Sequence, residues 1–244
     1  MALPRFARLT AASWPGPDSR LLDLEMVDQP LGFAGGQYVI VDSGLVLPNG
    51  KAVKRAYSLL SADREQTRFT LAVKRIAGGL GSGFLHDAAV GSTLRFSGPW
   101  GKLVPGAAVS GASLVLATDT GVTAALGLLQ GAAFAPLLAT TTFVWLRTTP
   151  GDFLPDELVR ARLPAGLGAA AIEALPPIDH PERIAWVRGR VRTLVRSGRL
   201  GQAFVAGDGA VNYALLDDLI TAGVPATRDS VESFFNMPKK SAAA

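Results

Sequence analysis

Between residues 21 and 100, hydrophobic positions recur in short runs separated by turn-forming residues. Residues 21–27 alternate roughly, residues 37–41 are rich in β-branched side chains, and residues 57–60, 69–73 and 95–97 have strand character. Gly35-Gly36, Ser43-Gly44, Pro48-Asn49-Gly50 and Ser61-Ala62-Asp63 punctuate them. Short strands at this spacing predict a small antiparallel β-barrel. A short helix is expected over residues 83–89. The pattern changes after Leu103-Val104-Pro105-Gly106. Residues 113–117 are an unbroken apolar run suited to a buried parallel strand. Residues 123–134 read as a helix, 141–146 as a strand and 156–162 as a helix. Residues 184–187 fit either a strand or the start of a helix around 191–196. Residues 202–206 read as a strand, and 212–222 as a helix stopped by Gly223. Strands alternating with helices predict a doubly wound α/β domain on a parallel sheet. The chain is thus expected to divide into residues 1–105 and 106–244, with a disordered tail over 239–244.

Composition narrows the chemistry. Hydrophobic residues make up 48% and charged residues 18%, which supplies a sizeable core. The 24 basic and 20 acidic residues leave a net charge of +4, too mild an excess to point to nucleic acid. Cysteine is absent, so the sequence offers no disulfide, no thiolate nucleophile and no cysteine-ligated zinc or iron–sulfur cluster. Only His86 and His180 carry imidazole, too few and too distant in sequence to suggest a metal site. Residues 106–146 have Asp119 as their single ionised side chain, but Gly, Pro and Thr interrupt them. A buried strand–helix–strand unit explains them better than a membrane span. Residues 1–10 hold Arg5 and Arg8 without an apolar segment, so no secretory signal is read there and a cytoplasmic location is expected.

Candidate chemistry concentrates in two places on the first half. Arg55-Ala56-Tyr57-Ser58 offers a cation, an aromatic face and a hydroxyl, with Arg55 and Tyr57 on one face of a strand. Lys74-Arg75-Ile76-Ala77-Gly78-Gly79-Leu80-Gly81-Ser82 is a strand running into a glycine-rich turn, which lets backbone N–H groups approach a phosphate. Taken singly, the first segment is equally an amphipathic strand and the second a flexible turn. Together they suit a ligand with a flat ring at one end and a pyrophosphate at the other, a flavin dinucleotide. Later, Thr118-Asp119-Thr120-Gly121 joins an apolar strand to a helix, the place where a second dinucleotide's pyrophosphate would sit.

The ordered set resembles the ferredoxin–NADP reductase superfamily. Gly36-Gln37-Tyr38-Val39, Arg55-Ala56-Tyr57-Ser58, the Gly78–Ser82 turn and Ser97-Gly98-Pro99-Trp100-Gly101 are similar to its flavin motifs. Val115-Leu116-Ala117-Thr118-Asp119-Thr120-Gly121-Val122, Ala206-Gly207-Asp208-Gly209 and Glu232-Ser233-Phe234-Phe235 are similar to its nucleotide motifs. The resemblance implies that Arg55, Ala56, Tyr57, Ser58, Lys74, Gly79, Leu80, Gly81 and Ser82 bind FAD, with Ser58 near the reactive flavin nitrogen. It implies that Thr118, Thr120 and Gly121 bind NADP or NAD, with Arg147 near the ribose or its 2′-phosphate and Arg188, Arg190 and Arg192 assisting it. Ser58, Glu232 and Phe235 are the expected catalytic residues, Phe235 covering the flavin ring.

Two departures touch the nicotinamide. Asp119 stands where the family has Gly, and a carboxylate there should repel a pyrophosphate. Ala206 stands where relatives often have Cys. The resemblance therefore supports two readings. One is an NAD(P)H oxidoreductase passing electrons through FAD to a separate carrier such as a ferredoxin or an oxygenase component. The other is an FAD-binding electron-transfer or regulatory subunit that has lost nicotinamide activity. Arg183, Arg188, Arg190, Arg192, Arg196 and Arg199, with no acid among them, suggest a positive face for an acidic carrier protein.

Overall fold

The computed structural model describes residues 3–106, 111–197, 200–227 and 230–237. Six antiparallel strands form the first sheet: β1 (Arg5–Gly16), β2 (Ser19–Met26), β3 (Tyr38–Val46), β4 (Ala52–Ser58), β5 (Arg68–Lys74) and β6 (Thr93–Trp100). Their order is β4-β3-β6-β1-β2-β5, and a bridge between Leu59 and Leu71 brings the two edges together into a barrel. Alternate side chains fill it. Leu22 and Leu24 of β2, Val39 and Val41 of β3, and Leu71 and Val73 of β5 share one core with Leu85.

Leu85 belongs to α1 (Leu80–Asp87), which lies against β3, β4 and β5. Buried Arg20 caps its C-terminal end, donating to the carbonyls of Leu85 (2.8 Å), His86 (2.7 Å) and Ala88 (2.8 Å). A cation on these otherwise unpaired carbonyls suits the negative end of the helix dipole. The opposite end of α1, at Gly79, has no side-chain cap.

The second sheet is parallel. It contains β7 (Ala112–Thr118), β8 (Thr141–Arg147), β9 (Ala169–Ala174), β10 (Leu200–Asp208) and β11 (Val231–Phe235), in the order β11-β10-β7-β8-β9. Helices α2 (Val122–Leu129), α3 (Asp156–Ala161), α4 (Arg183–Ser197) and α5 (Gly209–Thr221) complete it. Strand β7 alternates between its two faces. Leu114 and Leu116 pack with Val187 and Val191 of α4 and Val211 and Leu215 of α5. Val115 and Ala117 pack with α2 and with Leu21, Leu60 and Ala72 of the barrel. The nearly uncharged stretch noted in the sequence is thus β7, α2 and β8, and every residue of α2 is buried. No single helix among the described residues is long and apolar enough to cross a membrane.

Glycines let the barrel and the α/β unit touch through backbone. A Cβ on Gly127 of α2 would strike the Leu59 carbonyl, and one on Gly35 would strike Gly127 and Gly131. Asp63 fastens the seam by accepting from Gly35 N–H and Ala132 N–H, each at 2.9 Å. Gln130 donates to the Leu60 carbonyl at 3.0 Å.

Several elements differ from expectation. Residues 184–187 are helical, inside α4. Strands β1, β9 and β11 were not expected. Strand β9 reads Ala-Ala-Ala-Ile-Glu-Ala, favourable for a helix, and becomes a strand because it pairs with β8 along its whole length. Helix α1 starts at Leu80, three residues earlier than expected. The expected tail over 239–244 lies outside the described residues.

Candidate functional site

Strand β4 carries Arg55, Ala56, Tyr57 and Ser58 onto the wall of a cleft of about 840 Å³ between the two units. Lys74 at the end of β5 lines it too, ion-paired with Asp152 from the loop after β8. Burial pushes the Tyr57 phenol up to about 12, so it stays neutral and presents an aromatic face. Arg55 is exposed, its guanidinium donating to the Lys54 carbonyl at 2.8 Å.

The glycine turn reaches the same place. A Cβ on Gly81 would lie 2.7 Å from Arg55 Cγ and 3.7 Å from the Tyr57 hydroxyl, so the uncapped end of α1 packs directly on β4. Ser82 is buried, and its hydroxyl serves the turn itself: it accepts from Ile76 N–H (3.1 Å) and donates to the Gly79 carbonyl (3.0 Å). Gly79 and Leu80 border an adjoining depression of about 510 Å³ with Arg75. An uncapped helix start, an arginine and close glycine backbone make a cradle for negative phosphate oxygens.

Across the cleft, the sheet order changes direction between β7 and β10, whose carboxyl ends face the opening. Asp119 and Thr120 follow β7 and line the cleft with Thr123. Gly121 permits the close approach of Ala206, whose carbonyl a Cβ would strike. Thr118 is fully buried instead, its hydroxyl accepting from Asp208 N–H at 2.7 Å, and so joins β7 to β10.

Asp119 has a glycine-like backbone, with φ of +48°. Three contacts hold it there. The Trp145 indole donates to its carbonyl (2.9 Å), Thr148 N–H donates to Oδ1 (2.9 Å), and Arg183 pairs with Oδ2 (2.5 Å). Arg183 is only 2% exposed and also pairs with fully buried Asp208 at 2.9 Å. It donates further to Thr148 Oγ1 (3.1 Å) and to the Pro176 carbonyl. Asp208 in turn caps α5 through Ala210 N–H (3.0 Å) and accepts from Asn236 at 2.9 Å. The carboxylate expected to repel a pyrophosphate is therefore engaged by a buried arginine and a backbone amide.

Arg147, Arg188, Arg190 and Arg192 are also engaged. Arg147 is held by Asp156 through two bonds, 2.9 and 2.7 Å, and does not line the cleft. Arg190 grips Glu173, with its closest approach at 2.6 Å, and Arg188 meets Asp218 at 3.0 Å. Arg192 lies 4.0 Å from the same Asp218. The unbalanced positive face expected from the arginine run is corrected accordingly, because β9, β10 and α5 supply the missing acids. Arg199 lies outside the described residues.

Strand β11 completes the cleft with Phe234 and Phe235. Glu232, two residues earlier in alternation with Phe234, is not part of the lining. Its carboxylate reaches Gly101, 3.5 Å from where a Cβ would stand, and burial pushes its pKa up to about 7. Burial, and after it the nearby Glu232 carboxylate, raises the Tyr38 phenol. Sequence reasoning missed Thr148, Asp152, Phe153, Ile178 and Asp179 on the cleft wall, and Arg183 behind it. They sit after β8 and β9 in loops with no motif, and β9 itself carried no strand signal.

The fold is an antiparallel barrel joined to a parallel α/β sheet, with the cleft between them. Residues 8–104 match the oxidoreductase FAD-binding domain family, and the chain as a whole shares the two-unit fold of the solved structures it superposes on. The chain is 44% identical over 124 residues to ferredoxin–NADP reductase B of Sorangium cellulosum (strain So ce56), covering 50% of this chain and 49% of the relative. It spans about half the length, or less, of the curated relatives it matches. Among solved structures, the ferredoxin reductase in carbazole 1,9a-dioxygenase superposes with a TM-score of 0.73 at 18% identity, covering 96% of this chain and 70% of that one. The flavohem-like FAD/NAD binding domain of nitric oxide dioxygenase from Vibrio cholerae O1 biovar El Tor gives 0.67 at 16% identity, covering 94% and 97%. The residues present fit FAD: the Gly81 backbone against Arg55, the uncapped start of α1, and neutral Tyr57 beside Ser58 supply a phosphate cradle and a ring platform.

Proposed function

We propose that the protein is an NAD(P)H-dependent flavin oxidoreductase that hands electrons to a separate electron-carrier protein. One observation carries this reading: a single cleft is lined by Arg55, Tyr57 and Ser58 on one wall and by Asp119, Thr120 and Thr123 on the other. FAD, when bound, supplies the exchange between two-electron and one-electron chemistry. The protein's share is binding, orientation and exclusion of water. Arg55, Gly79, Leu80, Gly81 and Ser82 form the phosphate cradle, Ser82 by shaping its turn. Tyr57 supplies flat apolar area, and Ser58 a hydroxyl at the floor of the cleft. Thr120 and the start of α2 offer a hydroxyl and backbone donors to a second pyrophosphate. Phe235 shields the cleft at β11, and Glu232 holds a proton below about pH 7 close to Tyr38 and Gly101.

These 244 residues contain no cysteine to hold an iron–sulfur cluster, so in this reading the one-electron acceptor lies outside them. The carriers named by similar proteins, a ferredoxin or an oxygenase component, are the classes that this reading favours. Purified protein supplemented with FAD should hold one flavin per chain, and reduced nicotinamide should support reduction of a one-electron dye. Failure to retain FAD, or flavin loading with no dye reduction by either nucleotide, overturns the proposal.

A further inference from the structure

Resting on that reading, we infer that the cleft selects NADH and rejects NADPH, because among the described residues no uncommitted cation stands where a 2′-phosphate would be read. In a doubly wound sheet the pyrophosphate sits at the turn after the first strand. The adjoining ribose is read from the end of the neighbouring strand, by an acid for a free 2′-hydroxyl or by an arginine for a 2′-phosphate. Here those strands are β7 and β8. Strand β8 ends at Arg147, a cation in place to receive the phosphate, and Asp156 occupies its guanidinium through both Nε and Nη2. A bidentate pair uses the same fork that a phosphate would need.

The nearby arginines offer no substitute. Arg183 is buried between Asp119 and Asp208, and Arg190 is gripped by Glu173. On the cleft wall the balance is reversed. Its cations, Arg55 and Lys74, both come from the barrel, and Lys74 is paired with Asp152. The α/β unit contributes Asp119, Asp152 and Asp179. Asp119 and Asp152 are themselves paired, so Asp179 is the lining carboxylate, among the described residues, left to oppose an additional phosphate dianion and to accept from a ribose hydroxyl. Selection of this kind works by repulsion as much as by attraction. The inference discriminates, since a relative at 44% identity over half the chain bears NADP in its name.

The test uses FAD-loaded protein. Calorimetric titration with ADP-ribose and with 2′-phospho-ADP-ribose should show at least ~10-fold tighter binding of the unphosphorylated ligand. Equal affinities, tighter binding of the phosphorylated ligand, or no binding of either would overturn the inference. Anaerobic flavin reduction should favour NADH over NADPH in kcat/KM by a similar factor. Asp156→Asn, which frees Arg147, should narrow the preference by ~10-fold by tightening the phosphorylated ligand. An unchanged preference in a folded Asp156→Asn protein would overturn it. Should that variant not fold, the two wild-type titrations decide alone. If neither NADH nor NADPH reduces the flavin while ADP-ribose still binds preferentially, the oxidoreductase reading fails and the selectivity stands.

Discussion

At the residue scale, Asp119 shows how a local departure is absorbed. Its positive φ is the conformation for which Gly is usual, and an L-residue there costs about 1 kcal/mol. The ion pair with Arg183, the Thr148 amide and the Trp145 indole hold it in place. Removing the side chain would relax the backbone but leave a buried arginine short of a partner. Asp119→Gly is therefore expected to lower stability by about 1–3 kcal/mol in urea unfolding; a gain would show that the pair does not compensate the strain. The sequence displayed Asp119 as an anomaly. It could not display the remedy, because Arg183 lies 64 residues away in a segment that read as a positive face for a carrier protein.

Glu232 gives a second prediction at this scale. Its carboxyl is raised from 4.5 to about 7 by burial. The folded protein thus holds an extra proton between those values, and its stability falls as pH rises through that window. Allowing for partial exposure, the loss is ~2 kcal/mol between pH 5 and pH 8. Chemical denaturation at both pH values should show this loss in the wild type and a smaller one in Glu232→Gln. Identical pH dependence in the two proteins would contradict the placement of Glu232.

At the scale of elements, α1 links structure to ligand most clearly. Arg20 satisfies its C-terminal carbonyls, while its N-terminal end rests on β4 without a side-chain cap. Contact between Gly81 and Arg55 is possible only without a Cβ. Gly81→Val should push the flexible, exposed Arg55 aside and weaken FAD binding at least ~10-fold in a fluorescence titration, with the fold retained by circular dichroism. Undiminished affinity would show that this contact does not build the cradle. Elements with strong patterns were legible: the apolar run of β7, the rough alternation of β2 and the glycine turn before α1. Strands β9 and β11 were not, because their identity comes from pairing with β8 and β10 and not from their own composition. The acids that neutralise the arginine run come from these same unread or distant elements.

At the scale of the whole molecule, the cleft exists because two units are held in one relation. Gly35, Gly127 and Gly131 let backbones meet, and Asp63 binds both sides of the seam. A Cβ on Gly127 meets the Leu59 carbonyl, one residue beyond Ser58. Gly127→Ala should therefore cost about 2–4 kcal/mol and weaken FAD binding as well, by disturbing the floor of the cleft. Calorimetric unfolding would reveal any smaller effect. The two-unit plan was legible from the change of hydrophobic pattern near residue 105. The seam was not, since it rests on Gly35, which read as a turn, and on Gly127 and Gly131, which fell inside an expected helix. The central claim is that both walls of one cleft serve one electron path. It is tested most directly by mixing FAD-loaded protein with NADH without oxygen in a stopped-flow spectrophotometer. The account predicts loss of the flavin absorbance band with a rate that saturates with NADH, and a much weaker response to NADPH. A flavin band left unchanged by either nucleotide would contradict it.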